Sequence, residues 1–146
     1  MARVSTYLNF MGNTEEAFTF YKGVFGTDFV EPPHRMGDIP ADPNGPVLSE
    51  AEKSMIMHIE LPILGGHLPM GTDMIESMGH ELKIGNNTTI NLEPDTREET
   101  ERLYAALSEG ATDNSGLNEM FWGALWGSCL DRFGIRWMFN FNLTPA

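Results

Sequence analysis

The run LNFMGNTEEAFTFYKGVFG, residues 8–26, decides the fold, because it reads as the end of a strand, a capped turn, a helix and a stop. Upstream and into it, Val4, Thr6, Leu8 and Phe10 alternate with Ser5, Tyr7 and Asn9. That is the period of a strand whose two faces differ. Asn13 then precedes Glu16 by three residues, so its side chain is expected to accept from the free amides of the first helical turn while Glu16 reaches back. Glu15 and Glu16 also suit the positive end of a helix dipole. Ala17, Phe18, Tyr21, Val24 and Phe25 follow at spacings of three and four, an apolar stripe that must pack on a sheet, and Gly26 ends it as a left-handed cap.

The same unit occurs again. Residues 88–92 are strand-like, Thr96-Arg97-Glu98-Glu99 is a capping box, and Leu103, Ala106 and Leu107 form a second stripe stopped by Gly110. Thr96 lies 83 residues after Asn13, and strand and cap share about that offset, which independent coincidences rarely do. Each helix is followed by strand signals. In the first half these are 27–31, then 55–61 and 67–71 as a hairpin closed near Leu64-Gly65-Gly66. In the second half they are 111–114, then 122–130 and 135–142 around Asp131-Arg132-Phe133-Gly134. The expectation is an α+β chain of two tandem βαβββ modules, about 1–73 and 86–146, with 74–85 as connector. A Pro/Gly/Asp-rich loop at 32–53 exceeds ordinary connection lengths and reads as a lid or a dimer contact, without a choice between them.

Composition narrows the functions. A chain of 146 residues with 41% hydrophobic content has enough apolar material for a real core. A formal charge of −12 has the wrong sign for phosphate backbones or anionic membrane surfaces, so neither nucleic acid nor membrane is an expected partner. No window approaches the roughly 20 apolar residues of a membrane span, and the N-terminus lacks a signal-peptide pattern, so the expected location is the cytoplasm. The single cysteine, Cys129, sits among Trp126, Leu130 and Phe133 and reads as a buried core thiol rather than a nucleophile.

Several motifs carry a resemblance: Tyr7-Leu8-Asn9-Phe10 with Gly12-Asn13, Glu15-Glu16-Ala17-Phe18-x-Phe20-Tyr21, Phe25-Gly26, His58-x-Glu60-Leu61, Gly71-x-Asp73, Phe121-Trp122-Gly123, and Asp131-Arg132-Phe133-Gly134-x-x-Trp137-Met138. Together they resemble the vicinal-oxygen-chelate superfamily of glyoxalases, bleomycin-resistance proteins and extradiol dioxygenases, in its PhnB-like branch, over nearly the whole chain. That branch is often catalogued as 3-demethylubiquinone-9 3-methyltransferase-like, although no glycine-rich loop here is placed for S-adenosylmethionine. The resemblance implies the glyoxalase/bleomycin-resistance/dioxygenase fold, in which paired modules form a cup, within one chain or across a homodimer. It also implies, for the enzymes, a metal held by His, Glu or Gln from the first and fourth strands of each module. Laid onto this chain, those positions fall near Thr6, Pro69, Thr88 and Met138. A one-residue slip adds Ser5, Tyr7, Leu68, Met70, Asn87, Thr89, Trp137 and Phe139, and only a slip of two reaches His67. No cofactor and no metal are therefore expected.

Alternation puts Ile59 and Leu61 on one face of the 55–61 strand and His58 and Glu60 on the other. A two-residue turn would add Leu68 and Met70 to the apolar face and Pro69 and Gly71 to the face of His58 and Glu60. In the last strand, Arg136, Met138 and Asn140 oppose Trp137, Phe139 and Phe141. The expected ligand pocket is lined by His58, Glu60, Pro69, Trp122, Trp126, Arg136, Met138 and Asn140. His58 and Glu60 have the chemistry of an acid/base couple, or of ordinary polar residues on a half-solvated face. Trp122 and Trp126 offer indole faces to a planar ligand or pack under the helices. His34 and His80 read as solvated loop residues, and the ten methionines as an adaptable lining or as core filler. The expected function is metal-independent binding of a small molecule by a homodimer. The alternative is a divalent-metal lyase, isomerase or dioxygenase, or the methyltransferase of the catalogue name. No catalytic residue is assigned.

Overall fold

A computed structural model describes residues 1–40 and 42–144, so Ala41 of the long loop and the last two residues of the second module lie outside the described residues. The strands are β1 (Tyr7–Phe10), β2 (His34–Arg35), β3 (Ile56–Glu60), β4 (Met70–Asp73), β5 (Ile90–Leu92), β6 (Asn118–Met120), β7 (Ala124–Leu130) and β8 (Arg136–Asn142). The helices are α1 (Thr14–Phe25), the single turn α2 (Glu50–Lys53) and α3 (Arg97–Leu107). The chain divides into two compact units, Met1–Lys83 and Ile84–Ala146. The sheets repeat one plan, with strand order β1-β4-β3-β2 in the first unit and β5-β8-β7-β6 in the second. In both, the strand before the helix pairs parallel with the last strand, and the other pairs are antiparallel.

The stripe on α1 is the one the sequence spells. Ala17, Phe18, Tyr21 and Val24 are buried, and Gly26 closes the helix at φ 65°, its N–H donating to the Lys22 carbonyl at 2.9 Å. Burial of a side chain such as Phe18 stabilises by about 1.5–3 kcal/mol. The helix start differs from expectation. Asn13 makes no side-chain capping bond. Instead Asp73, from the end of β4, accepts with Oδ1 from Gly12 N (3.1 Å), Thr14 N (3.0 Å) and Thr14 Oγ1 (2.6 Å), and with Oδ2 from Ile56 N (2.8 Å). A buried carboxylate thus caps the helix across the sheet, where its charge faces the positive end of the dipole. In the second unit the cap is local: Thr96 Oγ1 accepts from Glu99 N at 3.1 Å, while the Glu99 carboxylate pairs with Arg102. Leu103, Tyr104 and Leu107 are buried and Ala106 is half-buried.

Two expected strands are displaced for related reasons. Residues 27–31 are irregular, and among the described residues their backbone bond to β3 is Val30 N to Glu60 O at 3.2 Å. Pro32 and Pro33 have no N–H to continue a ladder, so β2 forms after them, inside the expected loop, with His34 opposite His58. Residues 111–114 reduce to one bridge, Thr112 with Leu130, because Asp113 at φ 50° turns the chain away; pairing resumes as β6.

Candidate functional site

In the first unit, Leu8, Phe10, Ile59, Gly71 and Asp73 are buried on the side that α1 covers. The fit there is close: a Cβ on Gly71 would stand 2.6 Å from a ring carbon of Phe18. The hairpin between β3 and β4 is not closed by two residues but by 61–69, which includes a 3₁₀ turn at Leu64–Gly66 with left-handed glycines at 65 and 66. Register is then Ile59 opposite Gly71 and Glu60 opposite Met70. The predicted faces of the β4 strand are therefore exchanged, as a one-residue slip dictates. Met70 joins Glu60, while Gly71 faces α1. Pro69 is buried and alternates with Met70, so it leaves the predicted pocket set.

The face without the helix carries Tyr7 and Asn9 from β1, His58 and Glu60 from β3, and Met70 and Thr72 from β4. Tyr7 pairs with Met70 and Asn9 with Thr72 across the parallel junction. His58 Nε2 lies 3.0 Å from Glu60 Oε1, with side chains 26% and 18% exposed. The Tyr7 hydroxyl is 3.5 Å from His58 Nδ1, and the two rings are tilted at 6.0 Å between centroids. With Nε2–H donating to the carboxylate, Nδ1 carries a lone pair towards the phenol. Nearby, Thr6 Oγ1 lies 2.8 Å from His67 Nε2. Sequence reasoning left Tyr7 out of the pocket, although its alternation with Leu8 and Phe10 already set it on this face.

In the second unit, Leu125, Cys129, Trp137 and Phe139 are buried, and Phe139 packs edge-on against Tyr104 of α3. The opposite face carries Asn91, Trp126, Ser128, Leu130, Arg136, Met138 and Asn140, in register as Asn91 with Met138, Ser128 with Met138, Trp126 with Asn140 and Leu130 with Arg136. Arg136 is 17% exposed and donates through Nη1 to Asp113 Oδ2 at 2.8 Å. Trp122 is not on this face. It stands in the turn between β6 and β7 beside Phe121, 51% exposed, because Gly123 at φ 84° makes the turn that the predicted strand ran through.

The metal that the fold family implies can be tested against these donors. At the junctions of first and fourth strands the helix-free residues are Tyr7, Asn9, Met70 and Thr72 in one unit and Asn91 and Met138 in the other. Thr88 precedes β5 and is replaced at the junction by Asn91. A divalent ion wants three or more imidazole, carboxylate or thiolate donors. Among the described residues no group of three His, Cys, Asp or Glu is arranged to hold one. His58 and Glu60 both come from the third strand and already bond each other. The residues do not fit the group.

Comparison with known proteins now settles the lineage. The family model for 3-demethylubiquinone-9 3-methyltransferase matches residues 2–139. This chain belongs to that family. A solved structure of protein PA1353 from Pseudomonas aeruginosa is 32% identical, with 97% of this chain and 98% of that chain covered and a TM-score of 0.80. A putative 3-demethylubiquinone-9 3-methyltransferase, PhnB protein, from Bacillus cereus is 22% identical over 96% of this chain and 99% of its own, at a TM-score of 0.74. The fold extends to a glyoxalase/bleomycin resistance protein/dioxygenase family enzyme from Burkholderia phytofirmans, 18% identical over 94% and 98% of the two chains, TM-score 0.60. In this PhnB-like member, as in the wider fold family, the repeated βαβββ unit is the scaffold, and a scaffold does not by itself fix the chemistry. None of the helices among the described residues is long and apolar enough to cross a membrane.

Proposed function

We propose that this chain binds a small molecule on its helix-free sheet faces, through its own side chains and without a metal ion. The observation that carries the reading is the Tyr7–His58–Glu60 array: three polar side chains gathered on the helix-free face next to Met70, with Tyr7 from the first strand and His58 and Glu60 from the third. Such a face gives a ligand a thioether and an aromatic ring beside a few oriented polar groups, elements that small-molecule sites use. His58 supplies a donor or an acceptor according to its protonation, Glu60 fixes its ring, and Tyr7 adds an aromatic wall with a hydroxyl. On the second face, Trp126, Met138 and Asn140 offer an indole, an adaptable thioether and an amide. The physiological form in this reading is a cytoplasmic homodimer, for which sedimentation velocity at micromolar concentration is the check.

The test is a melting screen against planar aromatic and dicarbonyl compounds in the presence of EDTA. A ligand that binds the native state raises the melting temperature. At least one compound is expected to do so undiminished by the chelator, and His58→Gln or Glu60→Gln to weaken it by about tenfold. Shifts that appear only after a divalent metal is added would reverse the reading.

A second reading, acid/base catalysis at His58, draws on the 3.0 Å couple with Glu60. Turnover of a compound from the same screen, lost in His58→Gln while binding persists, distinguishes it.

A further inference from the structure

Among the described residues, one buried side-chain nitrogen or oxygen has no hydrogen-bond partner, and it is Nε of Arg136. A buried unpaired donor on a charged group costs several times what an ordinary hydrogen bond contributes, so each such group needs an explanation. The packing explains half of the side chain. Arg136 stands opposite Leu130 in the β7–β8 ladder, Thr112 bridges Leu130 on its other side, and the Arg136 guanidinium meets Asp113, the next residue along. The arginine therefore spans the sheet edge, and its Nη1 pins the 112–113 segment.

The pin uses only one edge of the guanidinium. Nη1 lies on the Cδ side, which leaves Nε–H and one Nη2–H parallel on the other edge, the fork that matches two oxygens of a carboxylate or phosphonate. That edge makes no hydrogen bond among the described residues. Arg136 itself stands on the same sheet face as Met138, Ser128 and Asn140. We infer that Arg136 is an oxyanion anchor, and that the small molecule bound on this face carries a carboxylate, phosphonate or chemically similar group seated on the Nε/Nη2 edge. The inference rests on the second sheet face being ligand-binding, and it names the class of ligand. Asp113, 68% exposed, then acts as a partial competitor that neutralises the arginine while the face is free of ligand. The formal charge of −12 opposes anions at long range, but salt screens exposed charges beyond about 8 Å, so the short-range fork decides.

Benzoate and phenylphosphonate, with benzamide as uncharged isostere, are titrated into the ¹⁵N-labelled full chain while the Arg136 Nε–Hε resonance is followed; its loss in Arg136→Lys assigns it. Both acids are expected to move that resonance and to bind at least about tenfold more tightly than benzamide. Arg136→Gln and Arg136→Lys should bring the acids down to the benzamide affinity and leave benzamide unchanged, which a loss of folding would not do. Asp113→Asn should tighten the acids. Equal binding of acids and benzamide, or an acid preference that survives Arg136→Gln, overturns the oxyanion assignment while leaving the binding face intact. Should none of the three probes bind while another compound of the melting screen does, the assignment again falls alone. A screen in which no compound binds removes the binding face as well.

Discussion

At the residue scale, the first unit depends on a single carboxylate. Asp73 gathers three backbone N–H groups and a hydroxyl from the turn before α1, from α1 and from β3, so it joins helix, third strand and fourth strand at one point. Asp73→Ala leaves those donors unpaired in a buried site, and urea unfolding is expected to show a loss of at least about 3 kcal/mol. Asp131 does comparable work in the second unit, accepting from Phe133 N and Ile135 N with one oxygen and from Trp137 Nε1 with the other. Its charge also acts on Cys129. Burial first, and the Asp131 charge second, push the Cys129 thiol up to about 11. The folded thiol therefore holds its proton at pH values where an unfolded thiol, near pH 8.5–9, releases it. Stability from this group is complete below about pH 8.5 and falls as pH rises towards 11. Native protein at pH 8 is expected to leave Cys129 unmodified by a disulfide reagent and to react promptly in denaturant; reaction in the native state at the rate of a free thiol would contradict the burial.

At the element scale, the two helices test how local a cap has to be. Thr96→Ala removes a bond to Glu99 N and should cost about 1 kcal/mol, whereas Asn13→Ala should change stability by only a few tenths, since Asp73 already serves the amides of α1. Equal losses at both sites would restore the local cap that the Asn13–Glu16 spacing advertises. The contact of α1 with its sheet is testable through Gly71. Gly71→Ala drives a methyl into Phe18 and should cost about 1–3 kcal/mol. Gly65→Ala, at φ 68° with open space around it, should cost only the left-handed strain of about 1–2 kcal/mol. What was legible in the sequence follows the same division. Helix stripes and strand alternation depend on neighbours three or four apart, or two apart, and Leu103, Trp137 and Phe139 lie where their spacing puts them. Partners across space leave no such mark. Nothing near Asn13 announces Asp73, sixty residues on, and Pro32-Pro33 signals a broken strand without saying that it resumes at His34. The β3–β4 connection shows how one turn length misassigns a whole face: His58 and Glu60 kept their side because alternation alone sets it, while Pro69 lost its place because the turn sets its register.

At the scale of the whole molecule, the repeat is the deepest feature, and the two units obey one topology with different side chains on their helix-free faces. The first offers a phenol, an imidazole and a carboxylate; the second offers an indole, an amide, a thioether and a guanidinium with one edge unspent. The candidate site was legible in sequence to the extent that alternation fixed these faces, and illegible where it depended on Tyr7 meeting His58 across two strands. Membership of the 3-demethylubiquinone-9 3-methyltransferase family supplies the scaffold and leaves the ligand to these residues. The central claim is that binding rests on them and not on a chelated ion. Its most direct measurement is metal content after the full chain has been equilibrated in turn with nickel, zinc, iron and manganese and freed of unbound ion by gel filtration. The account predicts well under one ion per chain for every metal; one tightly retained ion per chain would contradict it.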